Sequence, residues 1–188
     1  MTHKFNAKDV HLLDSPERRK FFPPEKVLGI LDGVKIRKEV AFDVGAGTGY
    51  LTIPLSRMFK RVYAVEINYE IAEILSKRLK ENGVSNVGII ISEKPPEVNF
   101  KIDLVVFSNV LHEMENPKEY LCWARNASYV LVAEWKKEPS EFGPPLEDRI
   151  ALDDLLSLCD FDVLKIVDLP YHYVVLLKNK GLTSLLPY

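Results

Sequence analysis

The 188-residue sequence predicts an α/β domain: a doubly wound, seven-stranded, mostly parallel sheet with an antiparallel strand in its C-terminal hairpin. Three observations carry that expectation. From about position 40, short apolar runs alternate with helical patterns, as in a parallel sheet covered on both faces. One run ends in Asp43 and passes straight into glycines at 45, 47 and 49, a sharp strand-to-helix turn. The last two runs are separated only by Pro170-Tyr171, a link that can join only antiparallel neighbours.

Pro16 suits the first turn of a short helix capped by Asp14 or Ser15, and Pro23-Pro24 breaks it. A second helix starts at about Pro24 and stops at Asp32-Gly33. Residues 1–35 are expected to form a helical lid, and 36–188 the sheet domain. VAFDV (Val40–Val44) reads as a buried strand. Leu51–Phe59 reads as a helix, although Pro54 would cost about 3 kcal/mol or more inside one, so the helix must start late or kink. Arg61–Ile67 is the second strand. Asn68 caps the next helix, whose apolar stripe is Ile71, Ile74, Leu75 and Leu79 and whose early acids and late bases match the helix dipole. Strands follow at Val87–Ile91, Ile102–Phe107 and Tyr129–Glu134, with a helix at about Pro117–Asn126. A polar loop, KKEPSEFGPPLED, leads to a helix over about Arg149–Cys159. Strands at Asp162–Leu169 and His172–Lys178 close the fold.

Composition excludes several classes. With 47% hydrophobic and 28% charged residues, the chain is of ordinary globular type. Lys plus Arg number 25 against 27 acids, a formal charge of −2, which argues against a general nucleic-acid coat while leaving a local basic patch open. Two cysteines, Cys122 and Cys159, make no disulfide framework, and no Cys/His spacing suits zinc, so no metal is expected. No apolar run reaches the ~18–20 residues of a membrane span. The opening MTHKFNAKDVHLLD carries charges from the start and has no apolar stretch of a secretion signal, so a cytoplasmic protein is expected.

The chemistry is expected at the carboxyl ends of the strands, where ligands bind in doubly wound sheets. After Gly45 and Gly47, a dinucleotide fingerprint G-x-G-x-x-G needs glycine at position 50. Tyr50 stands there, and the spacing is G-x-G-x-G instead. Glu66 closes the second strand at about the distance expected of an acid that holds ribose hydroxyls, and a carboxylate can accept from both hydroxyls of a diol. HEMEN (His112–Asn116) is not H-E-x-x-H, so a zincin site is excluded. His112 could be a general base, or a residue that orders the turn after the fourth strand. Arg18, Arg19 and Lys20 beside Phe21 and Phe22 could form a basic, aromatic lid, or a solvated face with two packed rings. His11, Tyr171 and His172 could also reach the pocket.

DVGAGTG (Asp43–Gly49), AVEI (Ala64–Ile67) and FSNVLHEMENP (Phe107–Pro117), in this order, resemble the class I S-adenosylmethionine-dependent methyltransferases, small members with a Rossmann-like domain. LLDSPERRKFFPPEKVLGIL and EWKKEPSEFGPPLEDRI extend the resemblance over nearly the whole chain. It implies S-adenosylmethionine as cofactor. Gly45, Ala46, Gly47 and Gly49 would wrap its methionine part, and Asp43 would position the amino group or the loop. Glu66 would take the ribose hydroxyls and Ile67 would pack on the adenine. Ser92 and Glu93 would lie by the adenine, where many relatives have Asp. Asn109 would face the transferred methyl, and with His112 is the candidate for a catalytic role. The sulfonium methyl is already activated, so the protein need only align the acceptor and exclude water. No N-P-P-Y or D-P-P-Y follows the fourth strand, which disfavours exocyclic amines and glutamine side chains. A small-molecule acceptor is expected, with nucleic acid and membrane disfavoured. A nicotinamide-dependent oxidoreductase and a non-catalytic binding module are the alternatives. The LTSLLPY tail could dock on its own core or on a second subunit, and the oligomeric state is left open.

Overall fold

A computed structural model of the chain describes residues 15–158 and 160–181. His11, Cys159 and the LTSLLPY tail lie outside the described residues.

Seven strands form one sheet: β1 (Val40–Val44), β2 (Arg61–Glu66), β3 (Val87–Ile91), β4 (Ile102–Ser108), β5 (Ala127–Trp135), β6 (Asp162–Asp168) and β7 (His172–Lys178). Their order is β3-β2-β1-β4-β5-β7-β6. β1 pairs in parallel with β2 on one side and β4 on the other, so the winding reverses between β1 and β4. β7 runs antiparallel to both β5 and β6, and β6 ends at Asp168, so the short link to β7 is Leu169–Tyr171, one residue longer than the sequence predicts. The central strands read as continuous apolar runs because both faces are covered: Leu104–Phe107 are all fully buried.

The helices are α1 (Pro16–Phe21), α2 (Pro24–Leu28), α3 (Thr52–Met58), α4 (Tyr69–Glu81), α5 (Pro117–Trp123) and α6 (Leu152–Leu158). Ser15 caps α1, its Oγ accepting from the Arg18 N–H. Asn68 caps α4, its Oδ1 accepting from the N–H groups of Glu70 and Ile71. α3 starts late, at Thr52. Pro54 therefore falls in the first turn, where a backbone N–H has no intrahelical partner to lose. α5 is followed by a 3-10 turn at Ala124–Asn126 rather than continuing to Asn126. α6 begins only at Leu152, because Arg149 serves the preceding loop.

One face of the sheet packs Ala41, Val62, Leu104, Val106 and Leu131 against Leu55 of α3 and against Phe22, Val27, Ile30 and Leu31. The described part of the N-terminal segment is thus built into the sheet's cover. Burying each such large side chain contributes roughly 1.5–3 kcal/mol. The other face packs Phe42, Val65 and Phe107 against Tyr120, Leu121 and Leu155. Among the described residues, no helix is long and apolar enough to cross a membrane.

Candidate active site

A cavity of about 590 Å³ opens over the carboxyl ends of β1, β2 and β4. It sits where the winding reverses, the crevice in which doubly wound sheets bind ligands. Its wall includes Asp43, Gly45, Ala46, Gly47, Glu66, Ile67, Ser92, Glu93 and Asn109. The fold thus brings together the end of β1, the end of β2 and the turns after β3 and β4. Gly49 and His112 are not in that wall.

The glycine loop is fixed from both sides. Gly45 and Ala46 donate their N–H groups to the Val65 carbonyl, at 2.9 and 3.0 Å. Gly45 has φ +72°, and a Cβ there would stand 2.2 Å from Cγ2 of Val110. A side chain is excluded by the loop after β4 as well as by the backbone. Gly49 has a different reason to be glycine. Its φ is +92°, and a Cβ would stand 2.6 Å from Cδ1 of Leu75. It lets α4 pack closely and leaves the cavity wall to its neighbours.

Glu66 is buried, and both carboxylate oxygens are held. Oε2 accepts from the Gly47 N–H at 2.9 Å and Oε1 from the Asn68 N–H at 3.0 Å. One carboxylate so couples the glycine loop to the start of α4. Its remaining lone pairs are available to a donor in the cavity. Asp43 is also buried, and its Oδ2 accepts from the Thr52 hydroxyl at 2.6 Å. Burial pushes its carboxyl up to about 6; the Thr52 bond opposes this and the charge of Glu66 adds to it.

Three buried polar atoms in the wall have no partner among the described residues: Thr48 Oγ1, Ser108 Oγ and Asn109 Oδ1. Such atoms are costly unless a ligand or water meets them. Asn109 also has φ +53°, a left-handed conformation that Asn tolerates better than most residues. Its N–H donates to the Ala133 carbonyl at 2.8 Å, which pins the turn. Opposite, Ile67 is 48% exposed, an apolar face open to a flat ring. The Ser92 hydroxyl closes a local turn, donating to the Lys94 carbonyl and accepting from the Lys94 N–H.

The turn after β4 is organised by Glu134, which the sequence had placed only as the end of a strand. Glu134 is fully buried on β5. Its Oε1 accepts from the N–H groups of Val110 and Leu111 at 2.9 and 2.8 Å, and its Oε2 meets His112 Nδ1 at 2.7 Å. Burial opposes charging of His112. Glu134, with Glu113 and Asp148 beyond it, outweighs that and raises its pKa above the ordinary histidine value.

Arg18 also reaches the wall, lying 4.4 Å over the Tyr50 ring. Phe21 stacks with Phe142 and His172 and meets Tyr171 edge-on. Of the residues expected to reach the pocket, Tyr171 and His172 therefore serve this aromatic cluster; neither is in the cavity wall. Arg149 fastens the loop 136–149, donating to the carbonyls of Lys136, Glu138, Phe142 and Pro144 and to Ser140 Oγ.

The cavity fits S-adenosylmethionine by its own features. It offers a carboxylate for a ribose diol, an apolar face, orphaned oxygens for an ammonium group, and a volume in the range of small-ligand sites. Residues 42–127 match the family model described as a methyltransferase domain. A SAM-dependent methyltransferase from Aquifex aeolicus superposes with a TM-score of 0.82 at 28% identity, over 93% of this chain and 98% of that one. A probable ribosomal RNA small subunit methyltransferase A from Methanosphaera stadtmanae is 31% identical over 61% of this chain and 41% of its own length. A ribosomal protein L11 methyltransferase from Thermoanaerobacter pseudethanolicus is 30% identical over 46% of this chain and 28% of its own. The chain thus spans less than half the length of these curated relatives. Their names correct the expectation of a small-molecule acceptor with nucleic acid disfavoured. That expectation rested on a missing N-P-P-Y or D-P-P-Y motif and on a net charge of −2, and the charge averages over the surface and hides local patches. In motif order, sheet topology and site, the chain is similar to the class I S-adenosylmethionine-dependent methyltransferases, and S-adenosylmethionine is the cofactor its cavity suits.

Proposed function

We propose that the protein transfers the sulfonium methyl group of S-adenosylmethionine to an RNA acceptor. The observation that carries the transfer is the cavity at the β1/β4 switch point, with Glu66 and the orphaned Thr48, Ser108 and Asn109 oxygens in its wall. The RNA reading is supported by relatives named as RNA methyltransferases and by Arg18, Arg19 and Lys20 on α1 beside the cavity. The bound cofactor supplies an activated methyl group. Glu66 accepts from the ribose hydroxyls, and Ile67 covers one face of the adenine near Ser92 and Glu93. The loop Gly45–Gly47 passes close to the methionine part, where Asp43 and Asn109 face the ammonium group and the methyl end. His112 is a positioning residue: through Glu134 it holds the loop that carries Asn109 and Val110. Gly49 supports the loop from behind.

A second reading, a ribosomal-protein acceptor, is favoured by Glu113, Glu115 and Glu119 along one rim, which would attract a cationic side chain. Tritium-labelled S-adenosylmethionine incubated with ribosomal RNA and, separately, with ribosomal proteins decides. The expected result is label in RNA. Glu66→Ala removes a charged hydrogen-bond acceptor, which at about 3 kcal/mol corresponds to roughly hundredfold weaker cofactor binding and loss of label. Label confined to protein overturns the RNA reading, and label in neither fraction overturns both.

A further inference from the structure

A second cavity, of about 560 Å³, lies between α1, α2, α3 and α4, outside the site described above. Arg19 of α1, Arg57 of α3 and Arg78 of α4 converge on it. Glu25 and Asp32 line it too, so the balance is three guanidinium groups against two carboxylates. Arg19 and Arg57 are exposed and Arg78 is half-buried. Burial lowers the pKa of Arg78, with Glu81 acting the other way. All three cations are arginine, whose planar fork matches phosphate oxygens in pairs.

The two cavities share Tyr50. Its ring is held by its hydroxyl, which donates to the Phe22 carbonyl at 2.6 Å. Arg18 lies 4.4 Å from the ring centre on the side of the methyl-transfer cavity, and Arg19 lies 5.5 Å from it and lines the second cavity. Consecutive arginines of one helix so reach into two adjoining cavities. The connection after β4 also brings Glu113, Glu115 and Glu119 to the wall of the first cavity. A polyanion entering the transfer site is repelled from these carboxylates and attracted past α1.

We infer that the Arg19–Arg57–Arg78 groove binds the phosphodiester backbone of a single-stranded acceptor RNA and leads it past Tyr50 to the methyl-transfer cavity. The inference rests on the RNA reading proposed above and names the surface by which the acceptor is held. The groove reads phosphates and not bases, so it contributes affinity common to all sequences and strongly dependent on salt.

The test is fluorescence anisotropy of a labelled, mixed-sequence single-stranded RNA titrated with the full chain over a range of salt concentrations. The variant is Arg57→Gln/Arg78→Gln. Lys101→Gln/Lys178→Gln removes the same charge from exposed positions elsewhere. Calorimetric titration with S-adenosylmethionine serves as the check on folding, since neither arginine lines the cofactor cavity. Each arginine that meets a phosphate contributes about 0.7 to the slope of log K against log salt, roughly fourfold in affinity at physiological salt. The arginine variant is therefore expected to lose most of that slope while keeping its affinity for S-adenosylmethionine, and the lysine control to behave as the wild type. Equal slopes in wild type and arginine variant, or an equal loss in the lysine control, overturn the groove while leaving an RNA acceptor standing. A wild-type chain that binds S-adenosylmethionine but no RNA, and labels ribosomal protein instead, overturns the RNA reading and the groove with it.

Discussion

The floor of the cofactor cavity and the cover beside it are built on opposite principles. The floor is made of short-range parts: Gly45, Gly47, Glu66 and Asn68 lie within two strand-to-helix turns, joined by one carboxylate and a few backbone N–H groups. The cover gathers α1, the end of β5, the loop 136–149 and the start of β7 around one aromatic cluster and one arginine. In the floor the residue types are dictated by a ligand and by closeness of backbones. In the cover they are dictated by packing, and the hydrogen bonds end on carbonyls that any residue could provide. Damage should therefore separate: floor changes move cofactor affinity, and cover changes move stability.

The largest separation is expected at Gly45. Gly45→Ala places a methyl group 2.2 Å from Val110 Cγ2 at φ +72°. The clash and the left-handed backbone together cost several kcal/mol, of which the backbone part is roughly 1–3. Calorimetric titration should find S-adenosylmethionine binding lost, because the loop Gly45–Gly47 must move. Adding Val110→Ala should restore part of it, since only the steric part is relieved. Unchanged binding in Gly45→Ala would mean that the floor is more pliant than its hydrogen bonds indicate.

At Arg149 the opposite pattern is expected. Arg149→Met keeps an unbranched apolar stem and removes the bonds to Lys136, Glu138, Ser140, Phe142 and Pro144. Some of those carbonyls can turn to water, so the loss is roughly 2–3 kcal/mol, below the sum of five bonds. Urea unfolding should show it, and limited proteolysis should cut within 136–149. Cofactor affinity should change less than about threefold. A hundredfold loss of affinity would erase the distinction between floor and cover.

The same contrast explains what was legible in the sequence. The doubly wound class and the closing hairpin were readable, because apolar runs, spaced glycines and a short link between strands are local signals; Asp43 and Glu66, strand-end acids, both fall in the cavity wall. The limits of α3 followed from Pro54 once the rule that its first turn needs no N–H partner was applied. Arg149 was invisible, since its partners carry no side-chain signature. Glu134 was visible only as the end of a strand; nothing local says that its carboxylate collects Val110, Leu111 and His112 from another connection. Gly49 was read as a cofactor glycine because its spacing is that of Gly45 and Gly47, yet what excludes its side chain is Leu75 on α4. The acceptor was argued from net charge and a missing motif, and neither says where charge gathers on the surface: Arg19, Arg57 and Arg78 line one cavity in a chain of net charge −2.

The smallest expected effect sharpens the comparison within the floor itself. Asp43 is buried, and its carboxyl is pushed up to about 6 from an ordinary value of 3.8. The folded state therefore holds this proton more tightly than the unfolded chain does. Its contribution to stability is fully present below pH 3.8, declines as pH rises, and is lost above about 6. The size follows from the shift: roughly 2–3 kcal/mol. Asp43→Asn removes the titration and can still accept from the Thr52 hydroxyl. Urea unfolding of the two proteins across this range should show the variant gaining on the wild type between pH 4 and 6, with a constant advantage above 6. Cofactor binding should run the other way, rising with pH through about 6 only in the wild type, if the carboxylate that destabilises the fold is, as proposed above, the one that meets the cationic methionine end. Parallel stability profiles would place the ionisation of Asp43 outside this window. A variant that binds S-adenosylmethionine as well as the wild type would show that Asp43 serves the loop through Thr52 alone.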